Sequence, residues 1–158
     1  MPQGNTAAMT ANAILVAGEP IIVEKEALTV ATGLAPGRLC ITDTNDWSIT
    51  FGTTSSTAVI GVADVPSDKK LTDYAFTAKT GSLTTTFTAA DQIRVLRGPI
   101  RVKVVLLSGE TVVVGADLVP AVLGMVKAGV TAGEVVGKAA TSSSASATCD
   151  WILMDVTI

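Results

Sequence analysis

Few side chains in this sequence of 158 residues could carry out chemistry, and they are widely scattered. Histidine is absent, which removes the commonest general base and the commonest metal ligand. Cys40 and Cys149 are the two cysteines, too few for a zinc site and too far apart to indicate a disulfide framework. Buried free thiols are expected, and a single bridge stays open because sequence gives no distances.

Two groups of polar residues are candidates for a metal-binding or catalytic site. The run Asp43-Thr44-Asn45-Asp46 is the nearest approach to a calcium loop, but it lacks the glycine and glutamate of an EF-hand at the required offsets, so a polar turn is expected. Ser67 with Lys69 and Lys70 could form a nucleophile pair, yet solvated lysines are the commoner outcome in a polar loop. We therefore predict no catalytic, cofactor-binding or metal-binding residue, no cofactor, and no enzymatic activity.

The aromatic residues are sparse, at 4% of the chain. Trp47 and Trp151 could stack on sugars, which would make a carbohydrate-binding surface. With so few aromatic neighbours, packing in the core or at an interface is the preferred interpretation.

The charge balance argues against nucleic-acid binding, because the net charge is −3 and the pI is about 4.8. A small basic cluster is formed by Arg94, Arg97, Arg101 and Lys103. We interpret it as a solvated or salt-bridged strand face; the alternative is a contact with an acidic partner surface.

Apolar residues make up 48% of the chain and charged residues 16%, below the usual charged share of about 25%. The longest strongly apolar run, Leu118–Val126, is far shorter than the roughly 20 residues of a membrane span, so no membrane association is expected. A well-filled core or coverage by other subunits would each explain the excess. No lysine or arginine precedes Lys25, which argues against a secretory signal and for synthesis in a reducing cytoplasm.

Valine, isoleucine and threonine form about a third of the chain, which predicts strands. The stretch Gly98–Gly115 alternates apolar and basic residues and then carries Ser108-Gly109, which predicts two strands joined as a hairpin. We predict an all-β sandwich or barrel of short, mainly antiparallel strands with little helix, either β-tulip-like or built from two related β-units. The uncharged residues 1–18 are predicted to form an N-terminal arm and residues 19–158 the β-domain.

The chain echoes itself loosely. Pro20–Val23 matches Pro99–Val102 at an offset of 79, and Gly37 matches Gly115 at an offset of 78. Val59–Ala63 matches Val135–Ala139 at an offset of 76, each with a glycine inside an expected strand, which indicates a bulge or a close backbone approach. These matches predict two related halves, 19–97 and 98–158; chance similarity among valine-rich strands is the alternative.

The segments GPIRVKV, GADLVP, VVGKA and DWILMDVTI together resemble the capsid decoration, or cement, proteins of tailed bacteriophages. In that family a glycine-initiated segment is followed by a polar turn, a strand containing glycine and a closing apolar strand. Gly115–Ala139 followed by Trp151–Ile158 has this order, and Gly37–Ala63 echoes it. The likeness covers about half of the chain.

The resemblance implies a non-enzymatic virion protein on the outer capsid surface that stabilises joints between major capsid subunits. Its expected partners are the major capsid protein and further copies of itself, as a homotrimer in preference to a homodimer. The arm would clasp a neighbour by adding a strand. The alternatives are another virion β-module, such as a tail tube, spike or fibre, and, ranked last, a carbohydrate-binding β-domain.

Overall fold

The computed structural model describes residues 14–27, 34–42, 48–54, 56–65, 92–129, 134–144 and 149–158, and structural statements below refer to these. The predicted all-β class is confirmed: the described chain consists of short strands with a single 3-10 turn at Val122–Gly124. The strands are β1 (Leu15–Ala17), β2 (Ile21–Ala27), β3 (Leu39–Thr42), β4 (Ser48–Phe51), β5 (Val59–Ala63), β6 (Gln92–Arg97), β7 (Arg101–Leu106), β8 (Thr111–Val112), β9 (Asp117–Pro120), β10 (Val126–Ala128), β11 (Gly137–Ala139), β12 (Ser143–Ser144) and β13 (Asp150–Val156).

Five strands before Gly98 close into a barrel in the order β2-β4-β3-β5-β6. β2 pairs with β4 in parallel, and β2–β6, β3–β4, β3–β5 and β5–β6 are antiparallel. The sequence also predicts strands at 28–30, 74–79 and 82–88, and these runs lie outside the described residues. In this barrel β4 pairs with β2 only at Glu26 and Ala27, near the end of that strand.

Five strands after Gly98 repeat the same ring of pairings. β7 pairs with β10 in parallel, and β7–β13, β9–β10, β9–β11 and β11–β13 are antiparallel. Exchanging β2, β3, β4, β5 and β6 for β7, β9, β10, β11 and β13 therefore reproduces every pairing and its direction. The sheet also carries β1 on the edge of β7.

The registers of the two rings agree as well. Cys40 pairs with Gly61 in the first ring, and Leu118 pairs with Gly137 in the second, so the offsets are 78 and 76, as in the sequence echo. The Gly37 N–H donates to the Ala63 carbonyl at 2.8 Å, and the residues 78 and 76 positions later, Gly115 and Ala139, form the same bond at 2.8 Å. The predicted bounds of one β-domain, 19–158, with halves 19–97 and 98–158 stay a prediction. One continuous core contains residues of both rings.

The interior glycines mark close backbone approaches, as predicted. A Cβ on Gly61 would lie 2.5 Å from the Leu96 carbonyl oxygen, and the β3–β5 register shifts beside it. A Cβ on Gly137 would collide with the Asp155 carbonyl oxygen and lie 2.6 Å from Met154 Cγ. Neither position has room for a side chain.

The predicted hairpin at Ser108-Gly109 is wrong, although its turn forms. Gly109 has φ 86°, and the Glu110 N–H donates to the Leu107 carbonyl at 3.3 Å. The following strand, β8, pairs with β12 and not with β7. The reason is that β13 occupies one edge of β7, while β1 and β10 share the other.

The predicted arm, 1–18, is described only from Ile14. Its end forms β1, which pairs with β7 of the same chain, and Ile14 is fully buried in the core. This part of the arm is therefore integrated into the fold of its own chain. The role of residues 1–13 lies outside the described residues.

Candidate functional site

The chemistry-bearing groups weighed from sequence do not meet in the described structure. The calcium-loop candidate at 43–46 and the Ser67, Lys69 and Lys70 group lie outside the described residues, as does Trp47. Among the residues that the structure describes, no three histidine, cysteine, aspartate or glutamate side chains cluster as metal ligands. In the same part of the chain, no helix has the length and apolarity needed to cross a membrane.

The two thiols are separate and buried, as expected from the sequence. Cys40, on β3, is fully buried in the main core, and Cys149 packs beside Met125 in a smaller cluster with its Sγ 3.6 Å from the Met125 sulfur. Burial raises the pKa of the Cys40 thiol to about 12, because a thiolate would lose its hydration there. Neither group is presented as a nucleophile.

We expect neither cysteine of the folded protein to react rapidly with a water-soluble disulfide reagent at pH 8, and both to react after denaturation. The Cys40 thiol stays protonated in the folded state at that pH. Since its folded pKa lies above its unfolded value of 9.0, its contribution to stability is lost as the pH rises above about 9. A thiol titration with and without denaturant measures this; one rapid equivalent in the native protein would contradict it.

The basic cluster is divided between the two rings, so it is not one continuous face. Arg94, on β6, donates to the Asp64 carboxylate at 2.7 Å. Burial nevertheless raises the pKa of Asp64, although the Val65 N–H and Arg94 oppose that shift. A raised folded pKa means that this carboxylate's contribution to stability falls as the pH rises through the range just above the ordinary aspartate value. Arg97 is exposed.

The other two basic residues lie on β7. Arg101 forms a two-pronged ion pair with Asp155, at 2.6 and 2.9 Å, across the β7–β13 pairing, and the hydrogen bond from its guanidinium raises the pKa of Arg101. Lys103 is buried, and burial lowers its pKa. The salt-bridged interpretation is thus confirmed for Arg94 and Arg101. The alternation of apolar and basic residues along β7 did not predict that Lys103 is buried. Both faces of β7 are covered, so residues on either face are buried.

A crevice of about 340 Å³ lies where β1 meets the start of β7, with Gly18, Pro99, Arg101 and Asp155 among its lining residues. Its charged groups already satisfy one another through the Arg101–Asp155 pair. The crevice therefore offers no side chains arranged for general acid–base work.

Trp151 packs against the cores, which confirms the packing interpretation for this tryptophan. It contacts both apolar clusters, and its ring covers Gly37, where a Cβ would come within 2.5 Å of Cζ3. The indole thus joins the turn before β3 to β13 instead of forming an open stacking platform.

The exposed apolar residues form the remaining candidate sites. Ile21 and Ile22, at the start of β2, are 59% and 47% exposed, while Val113 and Val114 are 63% and 64% exposed. Large apolar side chains are common singly on protein surfaces, so these two adjacent pairs are candidates for contact with another molecule and do not by themselves establish one. The sequence contains a signal for the apolar surface of β2, because Pro20–Val23 is an uncharged run between Glu19 and Glu24.

Three comparisons with known proteins were made, and the one that used solved structures found a similar fold. No protein-family model matches the chain, and no curated protein sequence matches it. A solved structure is similar: the N base of the head fiber protein of bacteriophage phi29, with a TM-score of 0.53 and 14% identity over 88% of this chain and 95% of that chain. At this identity the likeness shows a shared fold.

Proposed function

We propose that this chain is a non-enzymatic structural protein of a tailed-phage virion. It binds the outer surface of the icosahedral head and stabilises joints between major capsid subunits. The observation that carries the proposal is the shared fold with the base of a phage head fiber, over nearly the whole of both chains. The resemblance of the segments GPIRVKV and DWILMDVTI to decoration proteins supports the same assignment independently of the coordinates.

The physical basis of stabilisation is mass action. A protein that binds the expanded shell and not its dissociated or unexpanded forms shifts the equilibrium towards the expanded shell. Many copies, each held by modest contacts, then resist internal pressure together. Exposed isoleucine and valine pairs supply apolar contact area, and the paired charges of Arg101–Asp155 and Arg94–Asp64 avoid a strong field of one sign.

Self-association belongs to the proposal. We infer a homotrimer in preference to a homodimer, with the apolar excess of the chain lying partly in subunit contacts. The end of the predicted arm pairs within its own chain, since Leu15–Ala17 adds to β7. Any clasp on a neighbour is therefore assigned to residues before Ile14.

The test is co-sedimentation with undecorated heads of the phage that carries the gene. We expect saturable binding to expanded heads and weak binding to unexpanded proheads, which serve as the matched control. Sedimentation of the free protein should give three times the 16.0 kDa of one chain. A stable monomer that fails to sediment with either particle would contradict the proposal.

A second candidate is a module of a fibre, since the similar structure is itself the base of a head fiber. The two candidates differ in what extends from the particle. Micrographs of virions labelled with an antibody against this chain distinguish compact density on the shell from label at the foot of a projecting fibre or on the tail.

A further inference from the structure

The two rings differ at the edge of one strand. In the second ring β1 covers this edge of β7, and in the first ring no described strand covers the equivalent edge of β2. In the second ring, β1 lies along the start of β7, with Leu15 opposite Val102 and the Lys103 N–H donating to the Ile14 carbonyl at 2.9 Å. β10 takes the same edge of β7 only from Leu106 onwards. An added apolar strand therefore completes the edge of β7.

The equivalent edge in the first ring belongs to β2. The offset of 79 places Ile22 and Glu24 where Arg101 and Lys103 stand on β7. β4 reaches this edge only at Glu26 and Ala27, and β6 occupies the opposite edge. Within the described part of the chain, no strand covers the Ile22–Glu24 backbone on the side that corresponds to β1.

The side chains at this edge are also those of a strand acceptor. Ile21 and Ile22 point to opposite faces of β2 and are both about half exposed, so apolar surface flanks the backbone on both sides. Natural sheets usually protect an open edge with charge, and on β2 the residues Ile21–Val23 carry none before Glu24. An unprotected apolar edge is a template for another strand.

We propose that the β2 edge at Ile21–Glu24 binds an extended apolar segment of a partner protein, which adds as an antiparallel strand. The internal precedent is β1, whose contacting residues Leu15, Val16 and Ala17 are uncharged and extended. A second copy of β2 is a poorer occupant, because a four-residue contact would then be the whole interface, far below the roughly 800 Å² per partner of a stable dimer, whereas a segment of a larger partner is held by that partner's other contacts as well. The inference does not depend on a capsid being the partner.

The experiment adds a labelled peptide with the sequence of Ile14–Ala17, flanked by lysines for solubility, to the full-length protein. Fluorescence anisotropy should detect binding at concentrations up to roughly 1 mM. Ile22→Lys should weaken binding about tenfold or more, since it places a charge on the apolar edge. Val122→Lys is the matched control, a substitution at a valine away from β2 that is 47% exposed like Ile22, and should bind as the wild type does.

A second measurement is independent of the variants. On peptide addition, the Ile22 and Glu24 amides of the wild-type protein should exchange hydrogen more slowly, while those of Val113 and Val114 stay unchanged. Absence of binding, equal binding to the Ile22→Lys protein, or no protection at Ile22 and Glu24 would overturn the proposal. Concentration-dependent dimerisation abolished by Ile22→Lys would overturn it too, since the occupant would then be a second copy.

Discussion

Replacing Gly137 with alanine is expected to destabilise the protein by about 3 kcal/mol. Gly137 is buried on β11, and a Cβ there would collide with the Asp155 carbonyl oxygen and lie 2.9 Å from the Met154 sulfur. The carbonyl belongs to the β11–β13 pairing, so it cannot move without disrupting that pairing and the closure of the second ring. Urea unfolding of both proteins measures the difference.

Gly52→Ala is the matched control. Gly52 is also buried and does not adopt a positive φ, but its nearest neighbours to an added Cβ lie at 3.6 Å, an ordinary contact distance. We expect its stability to change by no more than about 0.5 kcal/mol. Equal effects of the two substitutions would show that the close approach at Gly137 is not what constrains the position.

Arg38→Ala should cost a further loss of similar size, about 3 kcal/mol. The Arg38 side chain is fully buried, and burial lowers its pKa to about 10. Its Nη1 donates to the Leu123 carbonyl at 3.4 Å, within the 3-10 turn between β9 and β10. Leu123 has φ 56°, a conformation that costs energy for a non-glycine residue, so the turn needs support from its neighbours. Removing the side chain leaves a cavity and withdraws that support.

Two further variants serve as comparisons: one keeps the side-chain volume at position 38 without the charge, and the other removes an exposed arginine. Arg38→Met fills most of the same space without a charge and should cost roughly 1 kcal/mol, since a well-packed apolar replacement of a buried ion often costs little. Arg97→Ala removes an exposed arginine from β6 and should change stability by less than about 0.5 kcal/mol. Thermal unfolding ranks all three. An Arg38→Ala protein as stable as Arg97→Ala would refute the bracing role.

Arg38 also illustrates how the rings are joined. It lies at the entrance of β3 in the first ring and reaches a turn of the second. Beside it, the Gly124 N–H donates to the Gly52 carbonyl at 2.8 Å. The sequence around Arg38 gives no indication that a charged residue is buried there, because its partner carbonyl lies 85 residues away.

Local signals in the sequence predicted the high strand content and the close backbone approaches at the interior glycines. Gly61 and Gly137 sit inside short valine-rich runs, and only a residue without a side chain fits where neighbouring backbone comes so close. Alternation along the last strand puts Ile152, Met154 and Val156 on one face, and the structure places all three in the main core.

Pairing partners were harder to predict, because they depend on which edges are free once the sheet is assembled. The hairpin at Ser108-Gly109 failed for this reason, since the chain turns as expected but finds β7 already occupied on both edges. The sequence echo carried information of a different kind. Offsets near 78 link residues with the same place in each ring, and this equivalence identifies the edge at Ile22 that none of the described strands covers.

The most direct measurement is a cryo-electron microscopy reconstruction of expanded heads, alone and after incubation with the purified protein. The proposal predicts added density on the outer surface at joints between shell subunits, into which three copies of the paired rings fit. Heads that show no added density at saturating protein would contradict a role on the capsid surface.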